Sequence, residues 1–537
     1  MRAMKGSLSP AAAFLLAAAV FLAGLGSYGL VEQSDARYAE IAREMRISGD
    51  YLAPTLLGIK HFHKPPLIYW LTQPGYALLG QNEWGARIFL AAAGLLLAGG
   101  VYRFALRHLP ATAPWSVLLL ATTPAVIGAS RMLTIDLLLT LCLATALMAW
   151  YDVRSGTGRR GALVAFYASV GLAFLAKGPV GWLLLLLVIA PAAWLTRGTT
   201  PRLRRSWGLA WGIPLALAIA APWYLVVMVK TPGLTGYFLG QQLAGRLKEG
   251  GLGHPHPWHY FLGVYPGLGL PWILLAPAGW RVIRRRDRSL AAFLALWAIV
   301  PPLFFSLPAT KLPLYVLPAF PAVALLACAA LEDPRAARRP LLIAGGAYLF
   351  LGVALALVGA GVVPVAGGDL GQLTTSSLRL LALPSALALL LAGAAALISA
   401  GGWPQRACLA LFFGLAFPVA WTFTHGAVAP LNSMKTVGQA VAREYRVGDS
   451  LVMFRTSALG LPFYAGAAPR PLLVGVPREI MFEDPRNPPP LLEDDRFRRL
   501  LARPERVLVV TTERWRRDLP GLREIASGGG YLLLANR

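Results

Sequence analysis

The sequence predicts an α-helical polytopic membrane protein with about thirteen transmembrane helices and a small C-terminal α/β domain. Of its 537 residues, 56% are hydrophobic and only 14% are charged, whereas soluble domains carry about 25% charged residues. The mean hydropathy is +0.57. These values exclude a soluble enzyme, a disordered chain and a disulfide-rich scaffold. The cysteines Cys142, Cys328 and Cys408 all lie in apolar runs, which is typical of small buried side chains.

The transmembrane domain is predicted over residues 1–430. A helix of about 20 apolar residues crosses a hydrocarbon core of about 30 Å, and thirteen stretches approach that length. They cover approximately residues 10–30, 84–106, 114–130, 132–151, 162–176, 179–196, 208–229, 261–280, 290–307, 312–331, 340–363, 378–400 and 406–428. The first stretch is longer than the apolar region of a signal peptide, which predicts an uncleaved span.

Lysine and arginine in the short loops predict the orientation of the bundle, because cytoplasmic loops are enriched in these residues. With the N-terminus in the cytoplasm, the cytoplasmic loops are short and rich in arginine, and thirteen spans place the C-terminus on the opposite side. The chain carries 50 Lys and Arg against 25 Asp and Glu, a net charge of +25. Membrane orientation accounts for much of this excess, so no nucleic-acid partner is predicted.

The non-cytoplasmic face carries two long loops, residues 31–83 and 230–260, and a tail, residues 431–537. The loops contain acids, histidines, tyrosines and lysines, so function is predicted at this membrane surface. The tail is predicted to be a small soluble α/β domain, and it has no catalytic motif. Its predicted elements are an amphipathic helix over 436–446, strands over Ser450–Arg455, Arg506–Thr512 and Tyr531–Ala535, and a Pro- and acid-rich loop over 483–495.

The first outer loop begins with a predicted amphipathic helix. Tyr38, Ile41 and Met45 share one helical stripe, and acids and arginines occupy the other, as in a helix that lies on the membrane surface. One interpretation is an anchoring helix with salt bridges that involve Glu40. The other is that Asp35, just beyond the first span, faces an interfacial cavity.

Two further segments bring ionisable residues to the membrane boundary. In HFHKPPLIYW, residues 61–70, Lys64 lies where it can meet a lipid phosphate as a point charge, and an ordinary snorkelling lysine is the alternative. In RMLTID, residues 131–136, Asp136 lies between two apolar runs, where an acid is a functional candidate by default. The alternative there is an ion pair between Arg131 and Asp136 across the turn.

Other cations and histidines border the same face. Lys177 lies in a tight turn, Lys311 precedes the tenth span, and Arg246 lies in the second long loop. The candidate metal ligands are His63, His254 and His256. The prolines of the HPHPWH segment force an extended chain, and no carboxylate is adjacent. The sequence therefore requires no cofactor and leaves a divalent metal ion as an open alternative.

Together these residues give two carboxylates and several separated cations at one lipid boundary. A site for a lipid-linked phosphate needs this combination, because cations hold the phosphate leaving group. The carboxylates would position or activate an acceptor, or stabilise positive charge on a sugar. No nucleotide-binding fingerprint is present, and a nucleotide-sugar donor would be on the cytoplasmic side.

Seven segments, in this order, resemble the ArnT-like branch of the protein O-mannosyltransferase superfamily, also called family 39. They are RYAEIAREM (37–45), FHKPPLIYWL (62–71), RMLTID (131–136), FLAKGPVG (174–181), APWYL (221–225), HPHPWHYF (254–261) and KLPLYVLPAFP (311–321). The resemblance covers about residues 10–330. It implies an integral-membrane glycosyltransferase of the GT-C type, with periplasmic juxtamembrane helices, that uses polyprenyl-phosphate-linked sugars.

The resemblance further implies an undecaprenyl-phosphate-linked donor and an acceptor at the periplasmic face of a bacterial inner membrane. In the ArnT branch the acceptor is lipid A and the sugar is 4-amino-4-deoxy-L-arabinose. By motif position, the residues implied to contact the donor phosphate are Arg37, Tyr38, Lys64, Arg246 and Tyr315. The implied catalytic acids are Asp35 and Asp136, and further candidates are Lys177, Lys311 and Glu40.

Two positions depart from the family pattern. Ser34 stands where the family has the first acid of an Asp-Glu pair, and His63 stands where the ArnT pattern has Glu before Lys-Pro. Transfer of another polyprenyl-linked sugar to a protein or glycan hydroxyl is therefore an alternative. A flippase for lipid-linked sugars is less favoured, because the polar residues gather on one face and no internal repeat is visible. A non-catalytic envelope assembly protein is the third alternative.

Overall fold

The structure, a computed structural model, describes residues 8–157, 160–196, 207–238, 240, 255–363, 375–424, 432–466, 468–475 and 491–537. Most of these residues are helical, and a five-stranded sheet lies near the C-terminus. The predicted fold class is confirmed as a helical membrane bundle with a small C-terminal sheet domain. The predicted boundary at residue 430 lies outside the described residues.

Most of the helices follow the apolar runs of the sequence, because a helix satisfies its backbone hydrogen bonds internally where no water is available. The first ten are α1 (Pro10–Leu22), α2 (Ser34–Ser48), α3 (Leu67–Leu79), α4 (Glu83–His108), α5 (Ala113–Ala121), α6 (Pro124–Ala129), α7 (Ile135–Arg154), α8 (Arg160–Lys177), α9 (Pro179–Leu195) and α10 (Leu209–Lys230). Later helices of the bundle span Tyr260–Gly269, Ala276–Arg286, Arg288–Ser306, Phe320–Ala330, Pro334–Gly359, Thr375–Ser399 and Pro404–Thr424.

Nine helices among the described residues are long and apolar enough to cross a membrane, or ten if one bent pair counts as a single span. That pair, Tyr260–Gly269 and Trp272–Arg286, bends by 103°. Two apolar helices are shorter, α1 with 13 residues and α9 with 17. The predicted stretch 114–130 is divided between α5 and α6, which begins at Pro124. The chain is a multi-pass membrane protein, and the count of thirteen spans stays a prediction.

Helices Ala276–Arg286 and Phe320–Ala330 approach backbone to backbone at Gly279. A Cβ atom at this position would lie 1.7 Å from the carbonyl oxygen of Leu326, so the two helices would have to separate. We expect Gly279→Ala to lower the free energy of unfolding by about 1–3 kcal/mol, the usual cost of overpacking. Thermal unfolding of the protein in detergent measures this change.

Gly346 offers the matched control. It also lies within a helix, and a Cβ atom there would meet nothing within 4 Å. Gly346→Ala should leave the melting temperature unchanged or raise it slightly, because alanine favours helix over glycine by about 0.5–1 kcal/mol. Equal losses in the two variants would contradict the close-packing explanation.

The loop between α1 and α4 folds into α2, a short hairpin and α3. The hairpin pairs β1 (Thr55–Leu56) with β2 (Ile59–Lys60). Glu44 of α2 holds this hairpin by accepting hydrogen bonds from Thr55 Oγ1 at 2.5 Å and Gly58 N at 3.1 Å. The predicted helix at the start of the loop is therefore present as α2.

The acids of α2 point inward. Asp35 and Glu40 are fully buried, and Glu44 is 1% exposed. The sequence predicted that these acids occupy the stripe opposite the apolar residues; they are nevertheless buried, because each carboxylate is bound by a cation or by backbone N–H groups. Burial of a charge is tolerated only where such partners exist.

The tail forms a sheet with strand order β4-β3-β5-β7-β6. Its strands are β3 (Ser450–Phe454), β4 (Leu472–Val474), β5 (Val507–Thr512), β6 (Arg523–Gly528) and β7 (Tyr531–Ala535). β3 runs parallel to β4 and β5, whereas β7 is antiparallel to β5 and β6. The three predicted strands are present as β3, β5 and β7, and the predicted helix is present as Lys435–Glu444.

Strands β4 and β6 were not predicted from the sequence. β4 has only three residues, and β6 begins with the charged pair Arg523-Glu524, so neither shows a clear apolar pattern. Residues 483–490 of the predicted acid-rich loop lie outside the described residues. The next segment of the tail is the helix Asp494–Leu501.

Candidate active site

Asp136, Lys177 and Tyr315 meet at one end of the bundle. Asp136 lies in the first turn of α7, and Lys177 is the last residue of α8. The Lys177 Nζ atom lies 2.6 Å from Asp136 Oδ1 and 4.1 Å from the centroid of the Tyr315 ring. Both charged side chains are less than a tenth exposed. A cation held between a carboxylate and an aromatic face is a fixed charge that can receive an anionic group.

Helix ends set the positions of this pair. Gly178, with φ of +72°, follows α8, and Pro179 begins α9, so Lys177 lies at a helix C-terminus, where a cation is favoured. Asp136 lies at a helix N-terminus, where an anion is favoured. Its ion-pair partner Lys177 is 41 residues along the chain, whereas the sequence alternative had named Arg131.

Asp35 forms a second buried ion pair, with Arg87 of α4. Both side chains are fully buried, and the Arg87 guanidinium is bonded directly to the Asp35 carboxylate. Asp35 also accepts hydrogen bonds from the backbone N–H groups of Leu133 at 2.8 Å and Val31 at 3.2 Å. These contacts attach the start of α2 to the segment that precedes Asp136. The predicted catalytic role of Asp35 stays a prediction.

Arg87 itself is anchored by three backbone carbonyls. It donates to Leu25 O at 3.1 Å, Tyr28 O at 2.9 Å and Gly29 O at 2.9 Å. Sequence reasoning missed this residue, although an arginine inside an apolar span is itself a signal of a buried partner. The pair links the first outer loop to the bundle.

Glu40 pairs with Arg43 within α2. The Arg43 guanidinium donates to both oxygens of the Glu40 carboxylate, at 2.7 and 2.8 Å. Burial raises the pKa of Glu40 to about 7, although the hydrogen bonds from Arg43 act to lower it. Glu40 therefore serves the internal packing of α2, and its role as a site residue stays a prediction.

Arg37 and Tyr38 lie beside Tyr69 of α3. The rings of Tyr38 and Tyr69 are 6.0 Å apart between centroids. The Arg37 Nε atom and the Tyr69 hydroxyl are both buried and have no hydrogen-bond partner among the described residues. Buried polar groups are normally satisfied, so two such atoms in one place indicate a site for a polar ligand. Sequence reasoning missed Tyr69, because aromatic residues near the membrane are common.

The histidines stack on aromatic rings. The ring of His63 lies 4.4 Å from that of His61 and 5.9 Å from that of Tyr237, and His256 lies 4.2 Å from Tyr260, all between centroids. Among the described residues, no group of three His, Cys, Asp or Glu side chains could hold a metal ion. Of the predicted metal candidates, His63 and His256 thus join no such group, and His254 lies outside the described residues.

Lys311 is a buried tie between two loops. It is 2% exposed, and its Nζ atom donates to His256 O at 2.9 Å and Pro308 O at 2.5 Å. These bonds hold the end of the second long loop against the chain before Tyr315. Arg246 lies outside the described residues. Lys64 is half-buried directly after His63, and its predicted contact with the donor phosphate stays a prediction.

Comparisons with known proteins agree with this architecture. Residues 63–225 match the family model described as dolichyl-phosphate-mannose-protein mannosyltransferase. Over 338 residues, the chain is 33% identical to a Pseudomonas fluorescens protein named undecaprenyl phosphate-alpha-4-amino-4-deoxy-L-arabinose arabinosyl transferase 1. That match covers 62% of this chain and 61% of the relative. A relative from Pseudomonas savastanoi pv. phaseolicola with the same name, without the final numeral, is 34% identical over 60% of each chain.

The structural match extends further than the sequence match. The crystal structure of ArnT from Cupriavidus metallidurans bound to undecaprenyl phosphate superposes with a TM-score of 0.83 at 26% identity. It covers 98% of this chain and 97% of that one. The chain is therefore similar to ArnT in sequence and fold, and its residues 63–225 are similar to the mannosyltransferase family. The apo form of the same ArnT matches with a TM-score of 0.81 over 98% of this chain, so the match includes both the helical bundle and the tail.

Proposed function

We propose that this ArnT-like protein transfers 4-amino-4-deoxy-L-arabinose from an undecaprenyl-phosphate-linked donor to lipid A, at the periplasmic face of a bacterial inner membrane. The observation that carries the proposal is the match, over 98% of the chain, to an ArnT crystallised with undecaprenyl phosphate. The names of the curated relatives support the sugar. The matched part of the chain spans about 61% of the first of these relatives.

The donor phosphate would bind where the buried cations and the unsatisfied polar atoms lie. Lys177 is fixed by Asp136 and by the Tyr315 ring. Arg37 presents a buried Nε atom without a partner among the described residues. In this proposal these cations and Lys64 hold the phosphate, Tyr38 and Tyr315 line it, and Arg246 joins them by motif position. Fixed positive charge stabilises the phosphate as it leaves, which is where charge develops in the transition state.

The acceptor oxygen attacks the anomeric carbon of the sugar, and the bond from that carbon to the donor phosphate breaks, so that the configuration inverts. If the acceptor is a lipid A phosphate, its oxygen is already anionic and no general base is required. Asp136 then acts by holding Lys177, and Asp35 by holding α2 against Leu133. If the acceptor is a hydroxyl, a carboxylate must remove its proton.

A second candidate acceptor is the hydroxyl of a protein or glycan. It is favoured by two departures from the ArnT pattern, Ser34 in place of an acid and His63 in place of Glu. The reaction class, the donor lipid and the cation cluster are the same in both cases. The two acceptors predict different effects of Asp136→Asn, which should be mild for a phosphate and severe for a hydroxyl.

Mass spectrometry of lipid A tests the proposal directly. In a host that lacks its own aminoarabinose transferase, expression of this protein should add a pentosamine to a lipid A phosphate. Lys64→Ala, expressed at the same level in the membrane, should abolish the addition because it removes a proposed phosphate-binding cation. Unchanged lipid A would contradict the lipid A acceptor. Consumption of an undecaprenyl-phosphate sugar by the purified protein in the presence of protein or glycan acceptors would then support the hydroxyl alternative.

A further inference from the structure

Glu32 is a buried carboxylate that the proposed reaction does not use. It lies two residues before α2 and is 6% exposed. Its Oε2 atom accepts a hydrogen bond from the backbone N–H of Leu459 at 3.1 Å, and its Oε1 atom accepts one from Gly460 at 2.6 Å. Leu459 and Gly460 belong to the tail, more than 420 residues away along the chain. The side chain therefore crosses from the first outer loop into the C-terminal domain.

The contact with Glu32 requires a residue without a side chain at position 460. A Cβ atom at this position would lie 2.6 Å from Glu32 Oε1 and 3.2 Å from the Cβ atom of Ala36 in α2. Any side chain would therefore displace the carboxylate or the helix. The absence of a side chain lets the carboxylate reach two consecutive backbone donors.

The backbone around Glu32 is held by the tail as well. Glu32 N donates to Asn432 O at 2.8 Å, and Asn432 Nδ2 donates back to Glu32 O at 3.0 Å. Val31 forms an antiparallel bridge with Ser433. The chain that enters α2 is thus joined to the start of the tail by an isolated bridge and by hydrogen bonds of both the Glu32 backbone and the Glu32 side chain.

A second anchor holds the other end of the same loop. Glu83, the first residue of α4, is 2.7 Å from Lys435 Nζ and accepts a hydrogen bond from the Tyr464 hydroxyl at 3.1 Å. That hydroxyl in turn accepts a hydrogen bond from Leu30 N at 2.7 Å. The tail therefore binds both ends of the loop that contains α2, α3 and the hairpin.

The start of α2 lies between two attachments. On one side Asp35 binds Arg87 and the Leu133 backbone of the bundle. On the other side Glu32 binds the tail. We propose that the C-terminal domain positions α2 for donor binding, and that Glu32 is the positioning residue through which it acts. The proposal rests on the proposed function in one respect, which is that Arg37 and Tyr38 of α2 bind the donor phosphate.

The pKa of Glu32 makes the docking of α2 on the tail depend on pH. Burial raises the pKa of Glu32 from its ordinary value of 4.5 to about 8, while the two backbone N–H groups and Arg37 act to lower it and Asp35 acts to raise it. Burial raises the pKa of Tyr531 of β7, and the nearby Glu32 carboxylate raises it further. Because the docked state holds the proton more tightly than the undocked state, docking is favoured most below pH 4.5. This contribution is lost as the pH rises to about 8.

Hydrogen–deuterium exchange of the full chain in detergent tests the positioning role without any assumption about turnover. Glu32→Ala should make the amides of residues 34–48 exchange about tenfold faster, the order expected for loss of hydrogen bonds to a buried acidic group. Glu444→Gln is the matched control, since Glu444 pairs with Arg506 inside the tail and is 43% exposed. It should leave exchange in α2 unchanged.

Gly460→Ala provides the same test from the tail side. Alone it should accelerate exchange in α2, because its Cβ atom displaces the Glu32 carboxylate. In the Glu32→Ala background it should add little, because the group it displaces is absent. In wild type, exchange in α2 should accelerate between pH 5 and 8 beyond the intrinsic pH effect. Glu32→Ala should reduce that excess and leave the part that comes from Glu40, whose pKa burial raises to about 7. Wild-type exchange in both single variants would overturn the proposal.

Binding of undecaprenyl phosphate separates this proposal from the proposed function. If both hold, Glu32→Ala weakens binding about tenfold and raises KM for the donor more than it lowers kcat. If α2 loosens but wild type binds no undecaprenyl phosphate, the positioning role stands and the proposed function fails. If wild type binds the lipid and Glu32→Ala binds it equally well, the proposed function stands and the positioning role is overturned.

Discussion

Replacement of Asp35 with alanine should lower the free energy of unfolding by about 3–5 kcal/mol, the usual cost of breaking a buried ion pair by removing one partner. The Arg87 guanidinium would be left fully buried without its carboxylate partner, and backbone carbonyls and the Tyr28 ring would compensate its charge only in part. The Leu133 N–H would also lose its acceptor. Thermal unfolding in detergent, with tryptophan fluorescence as the signal, measures the change.

A double variant distinguishes the ion pair from a general intolerance at this position. Arg87→Met removes the charge while keeping an apolar side chain of similar length, so Asp35→Ala should cost less in that background than in wild type. Asp35→Asn should lie between wild type and Asp35→Ala, because it keeps an acceptor for Leu133 but loses the charge. A fully additive double variant would show that the two residues do not stabilise each other.

The same series bears on the role of Asp35 in catalysis. If Asp35 acts only by holding α2, activity per folded molecule should recover in part when Asp35→Ala is combined with Arg87→Met. If it acts on the acceptor, activity should stay lost although stability recovers. Ser34 bears on whether Asp35 acts in catalysis. It stands where the family pattern has its first acid, so Asp35 is the carboxylate that remains in this segment.

The positions of the membrane helices could be predicted because an apolar run of about 20 residues has the length needed to cross the bilayer. The breaks within those runs could not. The apolar composition hardly changes at the division between α5 and α6 or at the 103° bend after Gly269. These breaks are therefore visible only in the backbone conformation. Three strands of the tail were visible as apolar runs, whereas β4 and β6 acquire their pairing from neighbours.

The candidate site was predicted residue by residue but not as a geometry. Asp136 and Lys177 were separate candidates, and no sequence pattern pairs residues that are 41 positions apart. The partners of Asp35 and Glu32 come from α4 and the tail, and no local spacing encodes them. Charged residues in an apolar chain can thus be found from the sequence, because burial makes them costly, but their partners depend on tertiary structure.

Lys177→Ala should lower kcat/KM for the undecaprenyl-phosphate-linked donor by about 10²–10³-fold, the usual effect of removing one fixed group that stabilises charge on a leaving oxygen. Lys177 is held in place by the Asp136 carboxylate at 2.6 Å and by the Tyr315 ring, so its charge needs no rearrangement when the phosphate departs. Initial rates with the purified protein, corrected for the folded fraction, measure the change.

Asp136→Asn is the control that identifies what the pair does. With a lipid A phosphate as acceptor, Asp136→Asn loosens Lys177 without removing its charge, so kcat/KM should fall about tenfold. The separate variant Lys177→Arg also keeps a positive charge and should retain much of the wild-type rate. With a hydroxyl acceptor, Asp136→Asn should cost as much as Lys177→Ala, because the base is gone. If Lys177→Ala retains the wild-type rate, the phosphate does not meet this lysine, and the donor must be held by the other proposed cations, Lys64, Arg37 and Arg246. The ratio of the two losses therefore reports the chemical nature of the acceptor from kinetics of the protein itself.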